Sequence, residues 1–171
     1  TDYEPRDGAD EGPVLAHPPR LIRPVGERLV TGDWHGQVHL LDPGGECWNW
    51  QLPGNNGVAV VADFDQNEDG LHAAVWSGEI YRLIEGEEPQ VVLKHEAGVQ
   101  QFCWPDNRIY ICGFDGDLAL YDERRLRGCE MVEPCMLLLK QTGESLVGVG
   151  EQYLYHIEPR PWQVVAEESD L

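Results

Sequence analysis

Basic residues are scarce in this chain of 171 residues, which has 12 lysines and arginines against 31 aspartates and glutamates. The formal net charge is −19. Proteins that bind nucleic acid or an anionic membrane surface need a basic surface, so the composition argues against both kinds of partner. The acidity is compatible with a basic protein partner, with a salt-rich habitat or with plain solubility.

Long apolar runs and paired cysteines are also missing. No apolar run reaches the roughly 18 residues that a membrane-spanning helix needs, so we expect no transmembrane segment. No two of the five cysteines show Cys-x-x-Cys spacing, and their number is odd. They are Cys47, Cys103, Cys112, Cys129 and Cys135. This pattern predicts thiols in a reducing, cytoplasmic compartment rather than a disulfide framework or a zinc site.

Motifs that carry catalysis are absent as well. The sequence contains no nucleophile elbow, phosphate-binding loop, dinucleotide fingerprint or His-Glu-x-x-His. Its six histidines are scattered along the chain. We therefore expect a protein that is not an enzyme and that needs no cofactor.

The sequence does contain an internal repeat. Four segments each combine an apolar run, a tight turn and an alternating run, and they are 28–42, 70–84, 108–122 and 144–157. The turn position is occupied by Gly36, Gly78, Gly116 and Glu151. A period near 40 residues is typical of four-stranded propeller blades.

Each repeat has one extended segment before it and one after it, so we predict four strands per unit. The alternating runs have the period of two that strands require, and no stretch of ten residues shows a helical stripe. We predict an all-β fold, a four-bladed β-propeller or half-propeller of four-stranded antiparallel blades. The predicted units are an acidic N-terminal tail at 1–17, blades at about 18–54, 56–96, 97–134 and 135–168, and a C-terminal tail at 169–171.

The third unit resembles a blade of the WD-repeat family. In that family a His begins the unit, a Pro-Asp-type turn and an Asp-Gly turn separate the strands, and Trp-Asp ends the last strand. The corresponding places hold His95, Pro105-Asp106, Asp115-Gly116 and Tyr121-Asp122. No unit keeps the Trp-Asp or Gly-His pairs, so a WD-repeat-like or otherwise divergent propeller is implied. The resemblance points to His95 and Asp115 as the remaining pair of the family's hydrogen-bonded tetrad.

Four blades leave three arrangements open, because propellers close with about four to eight. The chain can form a compact four-bladed ring. It can form a half-ring that closes with a second copy into eight blades, or a half-ring completed by a different protein. An open half-ring would expose apolar faces on its end blades, which soluble monomers avoid.

Aromatic residues recur two positions before the turn glycine, at Trp34, Trp76 and Phe114. The symmetry of the repeat places them on one rim, together with His35 and Asp115. Aromatic residues dominate binding hot spots, so we predict that these five residues form a partner-binding surface. Packing between the blades is the alternative interpretation of the aromatic residues.

An Asp-rich segment at 63–70 has alternating oxygen donors at Asp63, Asp65, Asn67 and Asp69. Calcium loops use such spacing to surround a hard cation, and the segment resembles the calcium loops of integrin-type propeller blades. The later acidic ligand of those loops falls at Ala73, which has no oxygen to offer. A polar turn between strands is the alternative.

These patterns favour a non-catalytic protein–protein interaction module. Its partner would be a basic protein or a second copy of the chain, and an inhibitor such as an immunity protein is one concrete form. The alternative is an enzyme or a ligand- or metal-binding propeller that uses a polar central funnel or the Asp-rich segment.

Overall fold

A computed structural model describes residues 17–54, 59–104, 108–132, 138–142, 145–150, 152–159 and 162–168. The strands form four antiparallel four-stranded sheets, and each sheet is a meander of four consecutive strands. We number these sheets blades 1 to 4 in chain order. This architecture confirms the all-β prediction. The described part of the chain has no helix with the length and hydropathy needed to span a bilayer.

The strand bounds are as follows. Blade 1 contains β1 (Leu21–Val25), β2 (Arg28–Gly32), β3 (Gln37–Leu41) and β4 (Cys47–Gln51). Blade 2 contains β5 (Val61–Asn67), β6 (Gly70–Val75), β7 (Glu79–Leu83) and β8 (Gln90–Lys94). Blade 3 contains β9 (Gln101–Cys103), β10 (Arg108–Cys112), β11 (Asp117–Asp122) and β12 (Arg125–Met131). Blade 4 contains β13 (Leu138–Thr142), β14 (Ser145–Val149), β15 (Tyr153–Pro159) and β16 (Trp162–Glu168).

The turn between the second and third strands is built in the same way in blades 1 to 3. Its glycines have positive φ, at 82° for Gly36, 105° for Gly78 and 85° for Gly116. A residue with a Cβ rarely adopts this conformation, which explains the glycine at each repeat. The carbonyl of each glycine accepts an N–H from the residue just after the outer strand. Those donors are Leu52, His95 and Val132.

The hydrophobic core is divided among the junctions between successive blades. Val30, Leu40, Val61, Tyr81 and Leu83 belong to the cluster between blades 1 and 2. A second cluster joins blades 2 and 3, and includes Ile80, Trp104 and Ile111. A third joins blades 3 and 4, and includes Leu118, Tyr155 and Ile157. Among the described residues no cluster joins blade 4 to blade 1.

The outward face of blade 1 exposes apolar side chains. Val30 and Leu40 are paired across β2 and β3 and enter the first core, so their neighbours Leu29 and Leu41 point to the opposite face. Leu29 is 46% exposed, and Ile22 on the same face is 54% exposed.

Blade 4 exposes a comparable outward face. Ile157 and its cross-strand partner Val164 face blade 3, so the adjacent pair His156 and Val165 faces away from it. Val165 is 41% exposed. Val147, paired with His156, is half-buried on the same outward face.

Most of the Asp-rich segment is a strand. The sequence predicts a calcium loop or a polar turn at 63–70, whereas β5 runs from Val61 to Asn67 and only residues 68–69 form the turn to β6. The strand begins with a bulge between Val61 and Asp63, so its polar residues still pair with β6. Of the predicted tails, residues 1–16 and 169–171 lie outside the described residues, and only residue 17 is described.

Candidate interaction surface and central cavity

The aromatic residues predicted to share a rim lie in one row across blades 1 to 3. Trp34 meets Trp76 with ring centroids 5.5 Å apart, and Trp76 meets Phe114 at 5.4 Å. Both pairs are edge-to-face, with interplanar angles of 86° and 81°. Trp34 is 52% exposed and Phe114 is 38% exposed, while Trp76 between them is half-buried. We call this row the aromatic rim.

Arg20 holds one end of the aromatic rim in place. Its guanidinium carbon lies 5.4 Å from the ring centroid of Trp34 and 5.0 Å from that of Trp76. Its Nη1 donates hydrogen bonds to the carbonyls of Val61 at 2.7 Å and Ala62 at 3.2 Å. Burial lowers the pKa of Arg20. Sequence reasoning missed this residue because Arg20 precedes the first repeat and has no counterpart in it.

His35 and Asp115 occupy the tips of two turns beside the aromatic rim. The His35 side chain is 64% exposed, and its ring stacks on that of His17 at a centroid distance of 4.4 Å. Asp115 is also exposed. The structure thus brings the five predicted binding residues to one side of the molecule, where the turns after β2, β6 and β10 meet.

His95 is paired with Asp117, and not with the expected Asp115. Its Nε2 lies 2.7 Å from Asp117 Oδ2, and its Nδ1 lies 3.0 Å from the hydroxyl oxygen of Tyr121. Asp117 begins β11 and is buried, whereas Asp115 is exposed at the tip of the turn. Asp117, two residues after Asp115, therefore makes the buried contact with His95.

A central cavity of about 360 Å³ lies among the innermost strands of all four blades. Its polar lining includes Arg23, Asp63, Gln101 and Lys140. Asp63 is buried, and burial raises its pKa, while the N–H groups of Phe64 and Phe102 and the guanidinium of Arg23 act in the opposite direction. Its Oδ1 accepts the Phe64 N–H at 2.9 Å and lies 3.4 Å from Arg23 Nη2.

Three of the four side chains proposed for calcium accept hydrogen bonds from backbone groups. Asp65 Oδ2 accepts the N–H of Trp104 in blade 3 at 2.5 Å, and Asn67 Oδ1 accepts the N–H of Asp69 at 2.8 Å. Asp63 and Asp65 connect β5 to blade 3, whereas Asn67 ends the strand and closes the turn that contains Asp69. This geometry gives the calcium prediction no support.

The described cysteines, Cys47, Cys103, Cys112 and Cys129, form no disulfide. Cys112 is buried in the core between blades 3 and 4, and burial raises the pKa of its thiol. Cys129 is exposed on the outer strand of blade 3. The prediction of thiols without disulfide bonds agrees with these four residues, and Cys135 lies outside the described residues.

No protein-family model matches the sequence, and no curated protein matches it. Solved structures do match. BBS1N, crystallised in complex with ARL6DN, matches 91% of this chain with 54% of its own length, at 15% identity and a TM-score of 0.70. Virginiamycin B lyase from Staphylococcus aureus matches 87% of this chain with 55% of its own length, at 10% identity and a TM-score of 0.70.

A computationally designed protein, Ika4, matches 94% of this chain with 98% of its own length, at 12% identity and a TM-score of 0.62. BBS1N and virginiamycin B lyase are β-propellers. The likeness confirms the predicted fold class, a propeller of four-stranded antiparallel blades. The chain spans about half the length of BBS1N and of virginiamycin B lyase.

Proposed function

We propose that this chain is a non-catalytic protein–protein interaction module that completes a propeller with a second copy of itself. The observation that carries the proposal is the pair of apolar end faces, on blades 1 and 4, that no described core cluster covers. The four blades match about half of the length of two longer propellers, so the chain has about the size of half such a propeller. A propeller neighbour crystallised with a protein partner gives general support for protein partnership.

A twofold dimer would cover both end faces at once. Blade 1 of one copy would meet blade 4 of the other, and the symmetry would repeat this junction on the opposite side. Strands about 20 Å long and about 4.8 Å apart give each end face about 300 Å² of projected area. Two faces per chain then approach the ~800 Å² per partner that is usual for a stable complex.

The mass in solution tests this proposal. We expect light scattering or sedimentation to give twice the chain mass of 19.3 kDa at micromolar concentration. The substitutions Ile22→Lys and Val165→Lys place a charge on each end face and should yield monomers. Val91→Lys is the matched control, because Val91 is 56% exposed against 54% for Ile22 and lies on the outer strand of blade 2.

Salt gives a second measurement on the same protein. Each copy has a formal charge of −19, so the two copies repel one another, and added salt should strengthen the dimer by screening this repulsion. A folded monomer at all salt concentrations would overturn the proposal. A dimer that neither end-face substitution weakens would also overturn it.

The aromatic rim supports a second candidate function, the docking of a basic protein. Trp34 and Phe114 are large exposed aromatic side chains, and Asp115 adds a negative charge beside them. The acidic chain would speed the encounter with a basic partner. We expect salt-sensitive binding to purified basic proteins that Trp34→Ala weakens at least tenfold. Leu126→Ala should leave binding unchanged, because Leu126 is 55% exposed and pairs with Tyr121, at the end of β12 away from the rim. Binding that is equal in both variants would remove the rim from consideration.

A further inference from the structure

Two histidines and an aspartate converge beside the aromatic rim. His17 precedes blade 1, and Asp33 and His35 lie in the turn between β2 and β3. One ligand atom from each of these side chains lies within 4.8 Å of the others. In the described part of the chain, no other group of three such residues comes this close together.

Asp33 is the central residue of this group. It is only 4% exposed. Its Oδ1 accepts the N–H groups of His35 and Gln37, both at 2.8 Å, as in an Asx turn. Its Oδ2 is buried and has no hydrogen-bond partner, and it lies 3.8 Å from His35 Nδ1.

A buried carboxylate oxygen without a partner is costly, so its place in the turn calls for a further ligand. The turn itself needs only the other oxygen. The Nδ1 atom of the His35 ring lies 3.8 Å from Oδ2, which is too long for a hydrogen bond. A cation held between this oxygen and the imidazole nitrogens would satisfy all three groups.

We propose that His17, Asp33 and His35 bind one divalent transition-metal ion of the zinc class. Two imidazoles and one carboxylate form a donor set that suits Zn²⁺ and its neighbours, whereas Ca²⁺ and Mg²⁺ prefer oxygen alone. Three protein ligands leave a fourth tetrahedral position for water or for a group from a partner protein.

The geometry requires a small closure around the ion. Ligands about 2.0–2.1 Å from a tetrahedral Zn²⁺ lie about 3.3 Å apart, so the donors must move inward by roughly 1.5 Å at most. Both histidine rings are exposed, and rotation about their side-chain bonds supplies this movement. Asp33 stays fixed by its two backbone hydrogen bonds.

The repeat shows that the group does not belong to the blade architecture. The position of Asp33 is occupied by Val75 in blade 2 and Gly113 in blade 3. Blades 2 and 3 therefore form this turn with no acidic residue at this position of the repeat. A requirement of folding alone does not explain why blade 1 combines this carboxylate with two histidines.

The test uses the full chain without an affinity tag, titrated with ZnCl₂ by calorimetry and with CoCl₂ by absorption spectroscopy. We expect one ion per chain, visible bands of tetrahedral Co²⁺, and a higher melting temperature in the presence of zinc. Trp34 lies between Asp33 and His35 in the sequence, so bound Co²⁺ should quench the fluorescence of Trp34.

Single variants separate the site from adventitious binding. His17→Ala and His35→Ala change exposed side chains and should each weaken Zn²⁺ binding by on the order of 100-fold. His39→Ala, in the same blade, is the control and should bind like the wild type. Absence of binding in the wild type would overturn the proposal. Binding that survives both variants, or that calcium displaces, would overturn it equally.

Discussion

The junction between blades 2 and 3 contains a histidine that should make the fold sensitive to acid. His72 is 1% exposed, and its ring lies 4.2 Å from that of Trp104 between centroids. Its Nδ1 has no hydrogen-bond partner. Burial lowers the pKa of His72 to about 4, with further lowering by Arg82 and Arg124, although Asp69 acts in the opposite direction.

The sign and size of the effect follow from this pKa. An unfolded histidine titrates near 6.5, so between about pH 6.5 and pH 4 the unfolded chain binds more protons at this position than the folded chain. The contribution of neutral His72 to the free energy of unfolding is complete above pH 6.5 and is lost as the pH falls toward 4. For this residue the free energy of unfolding should be about 3 kcal/mol lower at pH 4 than at pH 8.

The assay is urea unfolding, followed by tryptophan fluorescence at pH 8, 6, 5 and 4. His72→Phe keeps a ring against Trp104 and removes the titration, so its stability should fall by about 3 kcal/mol less than that of the wild type. His156→Gln changes an exposed histidine without adding apolar surface to the outward face of blade 4, and it should follow the wild type. The carboxylates titrate in all three proteins, so their effect on stability cancels when the pH profiles are compared. Parallel pH profiles for the wild type and His72→Phe would refute the reasoning.

Three further outcomes follow from buried contacts. Gly78→Ala should cost more than about 3 kcal/mol, because the new Cβ would lie 2.0 Å from the carbonyl oxygen of His95 at a φ of 105°; near-wild-type melting would contradict this. Asp117→Ala should cost about 3 kcal/mol by removing the carboxylate from buried His95, and thermal unfolding measures it. Iodoacetamide should label Cys129 in the folded protein but Cys112 only after unfolding, and mass spectrometry of native samples that shows modified Cys112 would refute this.

The repeat made the sheets predictable because its signals are local. Alternating residues and a turn glycine such as Gly78 depend only on neighbours in the chain, and the aromatic rim follows from applying the same turn three times. The inner strand β5 was misplaced because its aspartates look like turn residues. Their hydrogen-bond partners, Phe102 and Trp104, lie in the next blade, about 40 residues away, and no local pattern reveals them.

The side-chain pairs were harder to predict for the same reason. Whether Asp115 or Asp117 meets His95 depends on which of them begins a strand and enters the interface, and spacing alone does not decide this. The group formed by His17, Asp33 and His35 went unnoticed as a group, because the sequence distributes its members across a blade entry and a turn.

The division of the core into three junctions implies uneven stability along the chain. Among the described residues, blades 2 and 3 each take part in two junctions, whereas blade 1 and blade 4 each take part in one. In such a stack, stability adds up between nearest neighbours, so local opening begins at the ends. Amide hydrogens of β10 should exchange with solvent more slowly than those of β15. Ring closure by a second copy would give every blade two neighbours, and hydrogen exchange would then become uniform around the ring.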